Sequence, residues 1–485
     1  MRSTSALGWV GVLAMVGCAG TQAGQPMRAV APEAGAPVAT TPVATSPTTV
    51  ATGEPPPAPT GPWVGAAADS EVLLARGGDA FVGVWVDVPA GARARVRAPV
   101  DLALVVDTSG SMEGAKIQAA RASARTLVNR LADGDVISVD VFSDHARTLV
   151  PPVVLTPETR ARVLSVVAEL GASGSTNMFE GLELAEMHLA QAPQDHPVRR
   201  IVMISDGQAN VGPSSPQALG ELAERSLRIG GQVTSLGVGL DYDERTLDAI
   251  AERTSGRLFH VGDPREMTAT LEHEIDMLGT TVADQAALEI VPAPGVSVMG
   301  VDGARADSLG DGSLRIPLGA LFAGQHREAL VRVRLNGTAT GTQRALASVR
   351  LKFHDPAEND VERVQEVLAR AGTTDDPAVV ASNANAKTHA MMAMLEAART
   401  EVQAAQDLGS GNFAQAATSL AVAEQTLRAE SARTKDVAAK KKLDVAAQGV
   451  ATARARAAAA PTAAPMDVRQ DALEMNAAGM KASGY

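Results

Sequence analysis

Between residues 100 and 282, short apolar runs alternate with segments of helical period, and this constrains the fold more than any other feature of the chain. The runs cover residues 102–106, 136–142, 201–204, 233–238 and, more weakly, 258–261. Helical patterns lie between or after them at about 116–131, 157–170, 179–190, 216–229, 244–254 and 264–278. A continuous Val/Ile/Leu run reads as a strand buried on both faces, and helices between such strands read as crossovers joining parallel neighbours. The expected fold class is α/β, with a doubly wound, mostly parallel sheet. The stretch 147–155 contains Pro151 and Pro152. It suits only an edge strand, because proline has no N–H to give to a ladder.

The chain has 485 residues, and single cores seldom grow beyond about 250–300, so further domains are expected. Aromatic residues are only 2% of the sequence, which leaves Val, Leu, Ala and Met to fill the cores. Before the α/β region, 71–76 and 80–88 read as two strands joined across Gly77-Gly78. After it, strand patterns return at 287–291, 314–318, 328–335 and 345–353. Polar alternation in Val331-Arg-Val-Arg-Leu335 and Val349-Arg-Leu-Lys-Phe353 implies sheets with one wet face, hence antiparallel. The economical architecture is one β-sandwich built from 67–99 and 283–356, with the α/β domain of 100–282 inserted in it or flanked by it. From 357 to 457 the chain is Ala-rich with helical period. Segments 388–405 and 413–429 flank Gly409-Ser-Gly-Asn412 as a helical hairpin, and 434–457 continues it into a bundle. A single tetratricopeptide-like unit is the alternative, although such repeats need neighbours for a stable core. Residues 458–485 read as a flexible tail.

At the N-terminus Arg2 precedes an apolar run of about residues 7–16 and then Gly17-Cys18. A basic start, a short apolar core and small residues at a cut site describe a signal peptide over 1–17 rather than a membrane span. Met15-Val-Gly-Cys18 resembles the bacterial lipobox, and Cys18 is the only cysteine of the chain. It is read as a lipidation site that leaves acyl chains as the one contact with a membrane. An ordinary secretory peptide cut near Ala19 is the alternative. The residue after Cys18 is not Asp, which favours the outer over the inner membrane, with the body facing the periplasm or the surface. Residues 18–66 are rich in Pro, Ala and Thr and read as a disordered tether.

The chemistry collects at Asp101-Leu-Ala-Leu-Val-Val-Asp-Thr-Ser-Gly-Ser-Met112. An apolar run ends in Asp107, Ser109 and Ser111, three hard-oxygen side chains at alternate positions. Ligands of open α/β sheets bind beyond the carboxyl ends of such strands. The competing reading is a helix N-cap, a job that one residue would satisfy. A second run, Ile201-Val-Met-Ile-Ser-Asp206-Gly207, ends the same way, and Gly174-Ser-Thr176 puts a hydroxyl before a helical pattern. Two carboxylates and three hydroxyls then open at one sheet edge with no nitrogen or sulfur among them. This set suits Mg²⁺ first, or Mn²⁺ or Ca²⁺, and not Zn²⁺. With two negative ligands the cation keeps an open position, which an Asp or Glu of a protein partner can fill.

These residues resemble the metal-ion-dependent adhesion site of von Willebrand factor type A domains. Gly134-Asp-Val-Ile-Ser-Val-Asp-Val-Phe-Ser143, Leu236-Gly-Val-Gly-Leu-Asp-Tyr-Asp243 and Ala249-Ile-Ala-Glu252 are similar to bacterial members. The β regions around the domain resemble the inter-α-trypsin-inhibitor heavy-chain-like and calcium-activated-chloride-channel-like relatives. The resemblance implies that Ser109, Ser111 and Thr176 contact the cation directly, and that Asp107 and Asp206 do so directly or through water. It also implies a non-enzymatic, partner-binding role.

Other classes are less well served. The formal net charge is −12 and no Lys/Arg block occurs, which argues against nucleic acid. A Mg²⁺-dependent hydrolase would also place carboxylates at strand ends, but His145, His188, His196 and His260 are scattered, and neither a nucleophile elbow nor a phosphate loop is found. A structural envelope protein with a non-essential metal site is the other alternative. The sequence fixes no oligomeric state.

Overall fold

The computed structural model describes residues 62–92, 97–206, 208–358 and 360–482. Cys18, the expected signal peptide and nearly all of the expected tether lie outside the described residues.

The α/β domain is a six-stranded sheet. In spatial order its strands are Ala146–Val154, Val136–Phe142, Val100–Asp107, Val198–Ser205, Gly231–Val238 and Arg257–Val261. All neighbours are parallel except the first pair. The proline-bearing strand therefore lies at an edge, where its missing donors cost least. The central strand is buried at all eight positions, and its alternate side chains enter different cores. Leu102, Leu104 and Val106 pack with helices Ala115–Arg130, Pro157–Ala168 and Met267–Leu278. Ala103 and Val105 pack with Met178–Leu189, Pro216–Leu227 and Glu244–Arg253. Period 2 along a strand covered on both faces explains why the run reads as unbroken.

Two further sheets are assembled from both flanks of this domain, antiparallel throughout except where Val72–Leu74 runs parallel beside Val361–Thr374. The four-stranded one runs Val64–Ala68, Gly78–Asp87, His326–Leu335, Val296–Asp302. The six-stranded one runs Asp307–Ser308, Leu314–Phe322, Thr281–Pro292, Gln343–Asp355, Val361–Thr374, Val72–Leu74. Strand Gly78–Asp87 pairs with His326–Leu335 over its full length, Asp87 opposite His326 and Gly78 opposite Leu335. A pairing between segments so far apart makes the α/β domain an insertion in the sandwich.

Several sequence expectations need correction. The two strands joined across Gly77-Gly78 enter different sheets, Val72–Leu74 the six-stranded one and Gly78–Asp87 the four-stranded one, and the first is shorter than the expected 71–76. Gly77 makes the crossing at φ +81°, where a Cβ would lie 2.3 Å from the Leu335 carbonyl oxygen. Val64–Ala68 is a strand, so the expected tether boundary at 66 is too late. Residues from 357 onward do not start a helix, because Val361–Thr374 extends the sheet beside Gln343–Asp355. Its Ala, Glu and Arg content mimics a helix, but Ala369 and Ala371 alternate inward as in a strand. The bundle proper comprises Ala386–Gly409, Phe413–Arg433 and Val437–Ala459. It meets the four-stranded sheet at Gly83, where a Cβ would touch Thr388 and Met391. The expected flexible tail contains the helix Pro465–Ala482, seated by Ala472, Leu473 and Met475. Ala472, Met475 and the partly buried Val468 face the bundle core while Leu473 enters the type A domain, so the anchors are divided between two cores.

Candidate metal-binding site

Parallel pairing brings two strand ends together. Val106 lies opposite Ile204, so Asp107 and the Ser205–Asp206 step emerge side by side at the carboxyl edge. After Asp107 the chain makes one tight turn, Gly110–Met112, held down by the fully buried Met112. It then enters the helix Ala115–Arg130, whose N-cap is Gly114 with no side-chain cap bond. Asp107, Ser109 and Ser111 therefore do not cap that helix. Thr176 is not a cap either, since Asn177 fills that role for Met178–Leu189.

The oxygens are linked to one another. Asp107 Oδ1 accepts from the Ser109 backbone N–H at 2.8 Å, and its Oδ2 accepts from Ser205 Oγ at 2.6 Å. Ser109 Oγ and Ser111 Oγ are 3.0 Å apart. Ser111 Oγ donates to Asp206 Oδ1 at 2.7 Å, and the other Asp206 oxygen accepts from the Lys116 ammonium. The loop carrying Thr176 is tied to both neighbours. Gly110 N–H donates to the Gly174 carbonyl at 3.0 Å and Ser173 N–H to the Thr108 carbonyl at 2.7 Å. The Thr176 N–H donates to Asn210 Oδ1 at 2.8 Å. The loop turns at Gly174, where φ is +84° and a Cβ would lie 2.7 Å from Asp144 Oδ2. All five sequence-predicted positions thus lie on three segments bonded to one another at one sheet edge.

Burial governs the electrostatics. Asp107 is fully buried, and loss of solvation pushes its carboxyl up to about 6, against the bonds from Ser109 and Ser205 and with the Asp206 charge adding to the rise. Two carboxylates and one ammonium leave the ionised site net negative, so a further cation is attracted. Among the described residues no three His, Cys, Asp or Glu side chains gather as a ligand group. Sequence reading missed Ser205, Asn210 and Lys116. For Lys116 a signal existed: a lysine in the first turn of a helix opposes the helix dipole and asks for an anion nearby.

A model of the von Willebrand factor type A domain matches residues 101–273. The chain carries a von Willebrand factor type A domain. An uncharacterized protein of Synechocystis is 28% identical over 291 residues, 56% of this chain and 66% of that protein. Inter-alpha-trypsin inhibitor heavy chain H3 of Rattus norvegicus is 29% identical over 164 residues, 33% of this chain and 18% of its own length. The chain thus spans less than two thirds of these relatives. A solved structure, von Willebrand factor type A from Catenulispora acidiphila, aligns with a TM-score of 0.65 at 19% identity and covers 76% of this chain and 87% of its own. It supports the fold beyond the type A domain itself. Such domains are typically protein-interaction modules.

Proposed function

We propose that this protein is a cell-envelope-anchored module that binds a protein partner through a divalent cation held by Asp107, Ser109, Ser111, Thr176 and Asp206. The observation that carries the reading is the chain Ser109–Ser111–Asp206, which sets hydroxyl and carboxylate oxygens next to the buried Asp107 at one sheet edge. An all-oxygen donor set fits Mg²⁺, with Mn²⁺ or Ca²⁺ as alternatives. The ammonium of Lys116 on Asp206 supports the fit, because it shows that the site already draws positive charge to itself. The bound ion would supply an open position for an Asp or Glu of the partner, and no covalent step is assigned to the site. Anchoring through a lipid on Cys18 in the outer membrane rests on the sequence. Among the described residues no helix is long and apolar enough to cross a membrane.

Lys116 also favours a second reading, a structural envelope protein in which the lysine pairs with Asp206 and the metal site is not essential. Titration of Mg²⁺ and Mn²⁺ against the wild type and Asp107→Ala, followed by thermal unfolding, separates the two. The proposal expects a metal-dependent rise in midpoint that Asp107→Ala abolishes. Equal shifts in both proteins remove the metal site. Pull-down from envelope extract with and without EDTA then tests partner binding, and capture indifferent to EDTA removes the cation-bridged contact.

A further inference from the structure

The strand Val361–Thr374 has one edge filled by Gln343–Asp355 along its whole length. On its other edge Val72–Leu74 pairs only with Gly372, Thr373 and Thr374, and Glu71 accepts from the Gly372 N–H at 2.8 Å. Among the described residues nothing pairs with this edge from Val361 to Ala371. An open row of backbone donors and acceptors of this length is a template for another strand, and proteins commonly shorten, cover or bend such edges. The outer face adds apolar surface: Val364 is 54% and Leu368 39% exposed.

The side chains of the open segment are self-complementary. The open stretch 361–371 is centred on Glu366, and Glu71 closes it at one end. A second copy laid antiparallel about a two-fold axis at Glu366 fills the whole stretch. In that register residue i faces residue 732 − i, as follows from the centring. Glu362 then faces Arg370, Val364 faces Leu368, and each pair occurs twice. Among the described residues neither Glu362 nor Arg370 forms an ion pair. The one like-charged contact is Glu366 with its own copy, and Glu366 is already neutralised within its sheet by Arg350 at 3.3 Å and bonded by Ser348. Moving the register by two residues in one direction sets Glu362 against Leu368, and in the other Glu366 against Leu368. Opposite charges and apolar pairs directly across an antiparallel ladder are its main side-chain stabilisers. An isologous contact of this kind closes as a dimer and leaves no edge for further growth.

We propose that the open edge Val361–Ala371 is a homodimer interface, pairing antiparallel with a second copy of this chain about Glu366 into a continuous twelve-stranded sheet. Twelve is twice the six strands of the sheet that ends there. The interface is independent of the metal site and forms with or without a cation.

The test uses the full chain with Cys18→Ser, so that lipid and native thiol do not interfere. Sedimentation over a concentration series gives the dimer constant. Glu362→Arg and Arg370→Glu should each weaken self-association by about tenfold or more, because two attractive pairs become repulsive. Mixing the two variants should restore a heterodimer, which also shows that both are folded. Separately, Glu366→Cys should oxidise to a disulfide dimer, because Cα atoms facing across a ladder are about 4.5–5.5 Å apart, within disulfide reach. Glu362→Cys and Arg370→Cys should not cross-link. A wild type that stays monomeric, a dimer indifferent to the charge variants, or equal cross-linking at all three positions overturns the proposal.

Discussion

Lys116 and Ser111 each hold a different oxygen of Asp206, so the helix after the first motif and the turn within it meet on the carboxylate of the second. The ammonium stands beside the place proposed for the cation, and two positive charges near one carboxylate oppose each other. Lys116→Met should therefore raise Mn²⁺ affinity by about tenfold, measured by calorimetry at fixed pH. Unchanged or weaker binding would show that Lys116 orders the site rather than competing for it. Asp206→Asn should lose both the ion pair and most of the metal binding.

The Thr176 loop depends on one backbone conformation. Gly174 combines a left-handed φ with a close approach to Asp144, and Asp144 Oδ1 accepts from the Ser175 N–H at 3.0 Å. That bond first, and the Ser175 side chain second, hold the Asp144 carboxyl below its ordinary range. Gly174→Ala forces a side chain into both constraints and should cost about 1–3 kcal/mol. Because the Gly174 carbonyl also receives the Gly110 N–H, Mn²⁺ affinity should fall as well. Urea unfolding and metal titration on the same sample check the two effects. An unchanged urea midpoint would mean the loop relaxes freely.

The strand ends at Asp107 and Asp206 are legible in the sequence because fully buried parallel strands leave unbroken apolar runs with a sharp polar stop. The sandwich flanks are legible for a related reason, since one wet face makes Val331–Leu335 and Val349–Phe353 alternate. Lys116 is only partly legible: its place in the first turn of a helix asks for an anion, but which carboxylate answers appears only once Asp206 is placed beside it. Val361–Thr374 fails for a compositional reason: its inward positions are filled by Ala369 and Ala371, and alanine marks helix more readily than strand. The C-terminal helix fails because its stability comes from where it docks rather than from its own pattern.

That docking gives a direct measurement. Leu473 is 1% exposed and sits in the apolar cluster of the type A domain with Tyr242, Leu247 and Ile250. Arg469 Nε donates to the Leu240 carbonyl at 3.0 Å, and its Nη2 donates to the Tyr242 carbonyl at 3.3 Å. Leu473→Ala should lower stability by about 2–4 kcal/mol through lost burial and a residual cavity. It should also speed proteolysis within Pro465–Ala482, whose seat on the domain is weakened. A variant with unaltered stability and protease resistance would place the helix as a passive appendage.

Glu401 links the helical bundle to pH. It lies in Ala386–Gly409 at 7% exposure, and burial alone raises its carboxyl to about 7 from the ordinary 4.5. Between those values the folded chain holds a proton that the unfolded chain has released. Its contribution to stability therefore grows as pH falls from about 8 towards 4.5, the reverse of a carboxylate held low by an ion pair. Glu401→Gln removes the titration and the charge together. It should stabilise the protein by about 2 kcal/mol at pH 8 and by almost nothing at pH 4. Urea midpoints of wild type and variant at pH 8, 6 and 4 measure the difference, and a gain that grew towards low pH would reverse the assignment.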